Sequence, residues 1–166
     1  MATFWKESTL SPTRRRNFKV SLTISEKLGD VWFWAKTVSK PSIDVSVGEY
    51  QLINHTLKYP GLVTWNDITV TMVDTGSKTK ELYELFKLGG YEFPDGDQKG
   101  LVKTIGGLNT HVLTIEQYGD KIDTPIEKWQ CANAFIKSAN FGELDYSSDD
   151  FVEIEVVFSY DWAELT

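Results

Sequence analysis

Along most of the chain apolar and polar positions alternate with a period of two, as in strands that bury one face. Phe18, Val20, Leu22 and Ile24 alternate with Lys19, Ser21, Thr23 and Ser25. Leu28-Gly29-Asp30 predicts a turn. Val31-Trp32-Phe33-Trp34 is apolar at every position, as in a strand covered on both faces or meeting a partner. Pro41 interrupts the ladder, and Ile43, Val45 and Val47 then alternate with Asp44, Ser46 and Gly48. A further extended stretch from Tyr50 to Tyr59 ends at Pro60-Gly61, which reads as a turn. Ile68, Val70 and Met72 alternate with Asp67, Thr69 and Thr71. Strands are predicted again over His111 to Tyr118, Ile126 to Ile136 and Phe151 to Trp162. The last places Val152, Ile154, Val156, Phe158 and Tyr160 on one face.

One segment has the helical period instead. From Ser77 to Leu88, Leu82, Leu85 and Phe86 fall on one face, with Lys78, Lys80, Glu84 and Lys87 elsewhere. Asp74, Thr75 or Ser77 can cap its start, and Gly89-Gly90 supplies a stop. Residues 89–110, with Gly96, Gly100, Gly106 and Gly107 as well, predict a long loop. Strands, one helix, then strands again exclude an alternating βαβ fold. They predict a mainly β protein, an antiparallel β-sandwich or partial barrel with one flanking α-helix. Residues 1–13 have no periodicity and read as an N-terminal arm, leaving 14–166 as a single domain.

Composition narrows the class. In 166 residues, 41% hydrophobic, the 22 aromatic side chains can build a core without disulfide or metal staples. The lone Cys131 excludes an internal disulfide framework. The longest strictly apolar run, Val31 to Ala35, is far short of the roughly 20 residues that span a bilayer. The first fifteen residues are polar and lead into Arg14-Arg15-Arg16, so the expectation is no signal peptide, no membrane partner and synthesis in a reducing cytoplasm.

The formal charge of −7 argues against a protein that grips nucleic acid, which needs clustered Lys and Arg. Its distribution says more. Residues 1–20 carry Lys6, Arg14, Arg15, Arg16 and Lys19 against Glu7, whereas no Lys or Arg follows Lys137. That tail holds Glu143, Asp145, Asp149, Asp150, Glu153, Glu155, Asp161 and Glu164. The pattern suits a solvated acidic face beside a basic arm, or a head-to-tail assembly in which unlike ends of neighbouring copies meet.

Catalytic chemistry finds little support. His55 and His111 are the only histidines, and no Gly-x-Ser-x-Gly, HExxH, phosphate-loop or dinucleotide glycine pattern occurs. Cys131 lies in a strand pattern and reads as a small buried thiol. Asp95-Gly96-Asp97 and the Asp145–Asp150 cluster lack the alternating ligand loop and distal glutamate of a calcium site. No enzyme activity, metal or cofactor is expected. The six tryptophans, Trp5, Trp32, Trp34, Trp65, Trp129 and Trp162, could stack on sugar rings in a monomeric binding module. Most lie in strand patterns, which favours burial in the core or between subunits.

Several blocks, in order, resemble the tail tube protein of contractile-tailed bacteriophages and related contractile injection systems. Arg16-Asn17-Phe18-Lys19-Val20 is similar to the entry of that family's first strand. Lys58-Tyr59-Pro60-Gly61-Leu62 followed by Trp65-Asn66-Asp67-Ile68-Thr69-Val70-Thr71 resembles its Pro-Gly turn and the strand before the helix. Trp129 with Asn133-Ala134-Phe135, and Ser148-Asp149 leading into Ile154-Glu155-Val156 and Tyr160-Asp161, are similar to its last strands.

The resemblance covers residues 14–162, with 89–110 its least similar part. It implies a two-sheet sandwich with a flanking helix. Six copies form a ring whose inner strands join one continuous barrel, and rings stack into a tube. The implied partners are further copies, a sheath protein outside, tape-measure protein and double-stranded DNA inside, and baseplate and tube-terminator proteins. The stretch implied to stack rings maps to Gly48, Glu49, Tyr50, Gln51, Leu52, Ile53, Asn54 and His55, and on to Tyr59. Arg14, Arg15 and Arg16, facing Asp149, Asp150, Glu153 and Glu155, are the candidates for charge pairing between subunits. Acids lining a bore would repel phosphate and keep DNA from sticking. A tube-like baseplate or capping component is the related alternative.

Overall fold

The computed structural model describes residues 17–23, 30–33, 35–88, 112–119, 124–147 and 149–166. Its strands are β1 (Phe18–Thr23), β2 (Asp30–Phe33), β3 (Ala35–Val38), β4 (Ile43–Leu52), β5 (His55–Trp65), β6 (Ile68–Val73), β7 (Val112–Tyr118), β8 (Pro125–Ala132), β9 (Phe135–Asn140), β10 (Glu153–Ser159) and β11 (Trp162–Leu165). The helix, α1 (Lys78–Leu88), follows β6. The mainly β, antiparallel expectation with one helix holds. Among the described residues no sheet closes into a barrel.

Two sheets share one core. The first runs β11-β8-β7-β1-β2 and the second β3-β6-β10-β9, all antiparallel. Alternation decides which side chains meet between them. Val20, Leu22, Leu113, Ile115 and Cys131 point inward from the first sheet, and Ile68, Val70, Met72, Ile154, Val156 and Phe158 from the second. Leu82 and Leu85 of α1 join the same cluster, as their spacing predicts. Asp74 braces the approach to the helix by accepting from the Gly76 N–H (2.8 Å) and the Thr79 hydroxyl (3.0 Å). Each fully buried aliphatic or aromatic side chain contributes about 1.5–3 kcal/mol over an exposed one.

The sheets are joined by strands that leave one and enter the other. Ile126 to Ile136 was expected as one strand, and the structure corrects this. The chain breaks at Asn133, whose φ of 55° turns it out of the first sheet as β8 and into the second as β9. The expected strand from Phe151 to Trp162 begins at Glu153 and divides likewise after Ser159. One clasp holds both corners: Asn133 Nδ2 donates to Asp161 Oδ2 (2.8 Å), and the Asp161 N–H donates to the Ala132 carbonyl (3.1 Å). β2 in the first sheet is likewise followed by β3 in the second.

The third element is a hairpin of β4 and β5 that forms its own two-stranded sheet. Here Pro60-Gly61 is not a turn. Both residues lie within β5 at a bulge between the pairs Val45–Val63 and Val47–Pro60, and the chain reverses at Ile53-Asn54. A bulge tolerates a residue without an N–H. It also brings Gly61 so close to Ser46 that a Cβ there would press on the Ser46 side chain and carbonyl.

Candidate functional site

The hairpin stands off the body. Its root is fixed: Trp65 packs against the core with its ring 6.0 Å from that of Tyr160. Asn66 Nδ2 donates to Asp44 Oδ2 (2.7 Å) and Ser42 Oγ (3.1 Å). Beyond the root every residue of β4, and of β5 up to Thr64, is solvent-exposed, with Ile53 at the turn 99% exposed. An isolated two-stranded hairpin is marginal in water at best. One that also displays Val45, Val47, Tyr50, Leu57, Tyr59 and Val63 calls for a covering surface. The expected ring-stacking residues Gly48 to Leu52 form the outer end of β4, Ile53 and Asn54 its turn, and His55 the start of β5.

The second sheet supplies open edges. Among the described residues β3 and β9 each pair on one side only, so each presents unpaired backbone groups there. Its outer face is hydrophilic and largely self-neutralised. Lys36 Nζ meets Glu153 Oε1 at 2.5 Å, and Lys137 Nζ meets Asp67 Oδ2 at 2.6 Å. The hydrogen bond that Lys36 donates to Glu153 raises the pKa of Lys36, with Asp150 adding to it through space. Lys137 lowers that of Asp67. Thr69, Thr71, Glu155 and Ser159 share the face with Val73 and Val157. The first sheet differs: its outer positions Ser21 and Thr114 are only 7% exposed, so the middle of that face is shielded, while Lys19 and Thr23 beside Ser21 are exposed.

The candidate charge-pairing residues separate. Arg14, Arg15 and Arg16 lie outside the described residues, as do residues 1–13 and 89–110. Glu153 and Asp150 gather around Lys36 of their own chain, while Asp149 and Glu155 are exposed. The lysine partners Lys36 and Lys137 gave no sequence signal, because cross-strand neighbours are set by register. Between β9 and β10 the acidic segment exposes Leu144, Tyr146 and Phe151 beside its carboxylates. Asp145 turns inward on itself by accepting from the Ser147 N–H and hydroxyl, and its pKa falls accordingly.

Chemically reactive groups are quiet. Cys131 is fully buried, and burial pushes its pKa up to about 12. Tyr118 donates to Glu116 Oε2 (2.6 Å), and that bond pushes its pKa to about 12. Trp65 and Trp129 pack on the core, whereas Trp162 is exposed on β11. Trp5, Trp32 and Trp34 fall where side chains are not described. Among the described residues no group of three or more His, Cys, Asp or Glu is placed to hold a metal ion. No described helix is long and apolar enough to cross a membrane.

Solved structures share this arrangement over essentially the whole chain. One is a chain of the extended-state sheath–tube complex of the extracellular contractile injection system PVC (TM-score 0.72, 20% identity, 100% of this chain and 99% of that one). The chain has a tail-tube-like fold. A chain of the cap that terminates the tube of the anti-feeding prophage has it too (TM-score 0.74, 18% identity, 100% and 99% covered). So does a chain of that prophage's six-fold symmetrised baseplate (TM-score 0.71, 12% identity, 95% and 97% covered). No protein-family model matches the sequence. No curated protein matches it either. The tail-tube-like fold therefore rests on architecture, and its structural neighbours are tube, terminator and baseplate components rather than enzymes.

Proposed function

We propose that the chain is a structural subunit of a contractile tail or contractile injection system, six copies closing into a ring and rings stacking into a hollow tube. One observation carries this reading: a four-stranded sheet open at both edges, beside a protruding hairpin that is apolar on both faces, within a tail-tube-like fold. Joining β3 of one copy to β9 of the next removes the open edges and makes one continuous ring-wide barrel. The outer face of this sheet then lines the bore. Its three carboxylates, Asp67, Glu153 and Glu155, stand against Lys36 and Lys137, two of them in ion pairs. Such a lining holds neither sign of cargo strongly. DNA and a tape-measure protein pass through it in a phage tail, with sheath outside and baseplate and terminator at the ends.

Purified protein examined by sedimentation velocity and negative-stain microscopy tests this. The expected result is rings and hollow tubes. A strictly monomeric species at high concentration counts decisively against it. The likeness to a tube-terminating cap favours a second reading, a single ring that stops growth. That reading predicts rings that never stack without a partner.

A further inference from the structure

Between the two sheets lies a cavity of about 570 Å³, lined by β1 and β7 of the first sheet and by β3 and the following Lys40 beside the second. Alternation shows how it arises. Along the inner face of β7, Leu113 and Ile115 are apolar and buried, and the next inward position is Gln117, 9% exposed. Gln117 lies opposite Phe18, as Ile115 lies opposite Val20, so the apolar row of the first sheet ends here in a polar group. β3 follows the same course: Val38 packs on the core, and two residues further on comes Lys40. Core packing thus gives way to a mixed lining, with Phe18, Val38 and Ile115 as its apolar wall.

Volume and lining are those of a small-molecule site. Ligand pockets occupy about 300–1,000 Å³ and combine apolar walls with a few polar groups that fix orientation. Charge narrows the ligand class. The chain carries −7, yet the charged residues lining the cavity are Lys36 and Lys40, with no carboxylate among the described residues of its lining. Glu153 and Glu127, which pair with these lysines, are not part of that lining. An ammonium group has three N–H donors, so one ion pair leaves others for a second anion. Lys36, Thr37 and Lys40 are exposed and form the mouth, whereas Ile115 and Gln117 are buried.

We propose that this cavity binds a small amphiphile, an apolar body with a single anionic head, of the class of a medium-chain carboxylate. The body packs on Phe18, Val38 and Ile115 beside the Gln117 amide, and the head stays at the mouth with Lys36 and Lys40. The site is complete within one copy and does not rest on the tube reading.

Decanoate bearing a diazirine near its apolar end is the probe, irradiated with the purified chain at low concentration and read by peptide mapping. Saturable labelling of peptides holding Phe18, Val38 or Ile115 is expected. Decanoate should displace the probe, and decanol, which lacks the charge, should do so about tenfold less well, as for the loss of a charge-assisted hydrogen bond. Lys36→Gln combined with Lys40→Gln is expected to weaken decanoate about tenfold and leave decanol unchanged, a split that a merely structural role for the lysines does not produce. Thr37→Trp, at an exposed position of the mouth, is expected to abolish the labelling. Circular dichroism checks the folding of each variant. If the double variant does not fold, the comparison of decanoate with decanol on the wild type decides alone. Labelling that does not saturate, or that falls on the β4–β5 hairpin instead, overturns the proposal. Equal displacement by decanoate and decanol overturns it too. None of these results bears on whether rings or tubes form, so the function reading stands or falls separately.

Discussion

Asn133 is the residue on which the exchange of strands between sheets turns, and its replacement by alanine has a cost that can be worked from the structure. Two terms are lost. An L-residue other than Asn or Gly held at a φ of 55° costs about 1–2 kcal/mol of backbone strain. The hydrogen bond to Asp161 Oδ2 at 2.8 Å goes to a charged but exposed acceptor, which places it near the low end, about 0.5–1 kcal/mol. Asn133→Ala is therefore expected to lose about 2 kcal/mol in total, lowering Tm by roughly 4–8 °C in a chain of this size. Asn133→Gly removes the same hydrogen bond but not the conformational tolerance, so its loss should be about half as large or less. The assay is thermal or urea unfolding under dilute, monomeric conditions, followed by tryptophan fluorescence, since Trp65 and Trp129 pack against the core. Equal destabilisation by alanine and glycine would refute the assignment of strain to the corner. A shift for alanine within error would remove the corner's energetic role altogether.

Phe158 is fully buried near the end of β10, and Phe158→Ala is expected to cost about 3–5 kcal/mol, read as a fall in the urea midpoint with unchanged m-value. In alkali, Cys131, Tyr118 and Tyr160 all have folded-state pKa values raised to about 12, from 9.0 for the thiol and 10.0 for the phenols. Above pH 9 the unfolded chain therefore holds fewer protons than the folded one. Stability should be intact up to about pH 9 and fall progressively towards pH 12, checked by urea midpoints between about pH 8 and pH 11. A flat midpoint contradicts the burial of Cys131 and Tyr160 and the hydrogen bond that holds Tyr118. Lys137→Ala removes an ion pair that is largely solvent-exposed and should change stability by less than about 1 kcal/mol in the isolated chain.

Much of the fold was legible because each signal was local. Ile68, Val70 and Met72, and Ile154, Val156 and Phe158, alternate and are all fully buried. The helix announced itself through Leu82 and Leu85. What stayed hidden depends on partners distant in sequence. Nothing in the run from Ile126 to Ile136 breaks its extended reading except one Asn, and an asparagine is common enough to pass unnoticed. Pro60-Gly61 is strong punctuation, yet the register across β4 places it at a bulge rather than a reversal. The hairpin's apolar residues sit on both faces in different halves, so its pattern fits neither a one-sided strand nor a buried one. Among the described residues nothing covers it. Of the candidate residues, 48–55 gathered into one projecting element, whereas Asp150 and Glu153 met Lys36 through a strand order that sequence does not display.

The strand order of the second sheet also sets a timetable. β6 and β9 do not pair with each other, and β10, made after both, is the strand that joins them. During synthesis the hairpin emerges about ninety residues before the second sheet, which closes the proposed ring, can exist. Pairings between strands so far apart in the chain are slow to form. A growing polypeptide therefore exposes its adhesive hairpin early but has no finished surface to dock on. In the proposed tube, polymerisation would thus be confined to completed chains, and half-made copies on neighbouring ribosomes would be kept from joining prematurely.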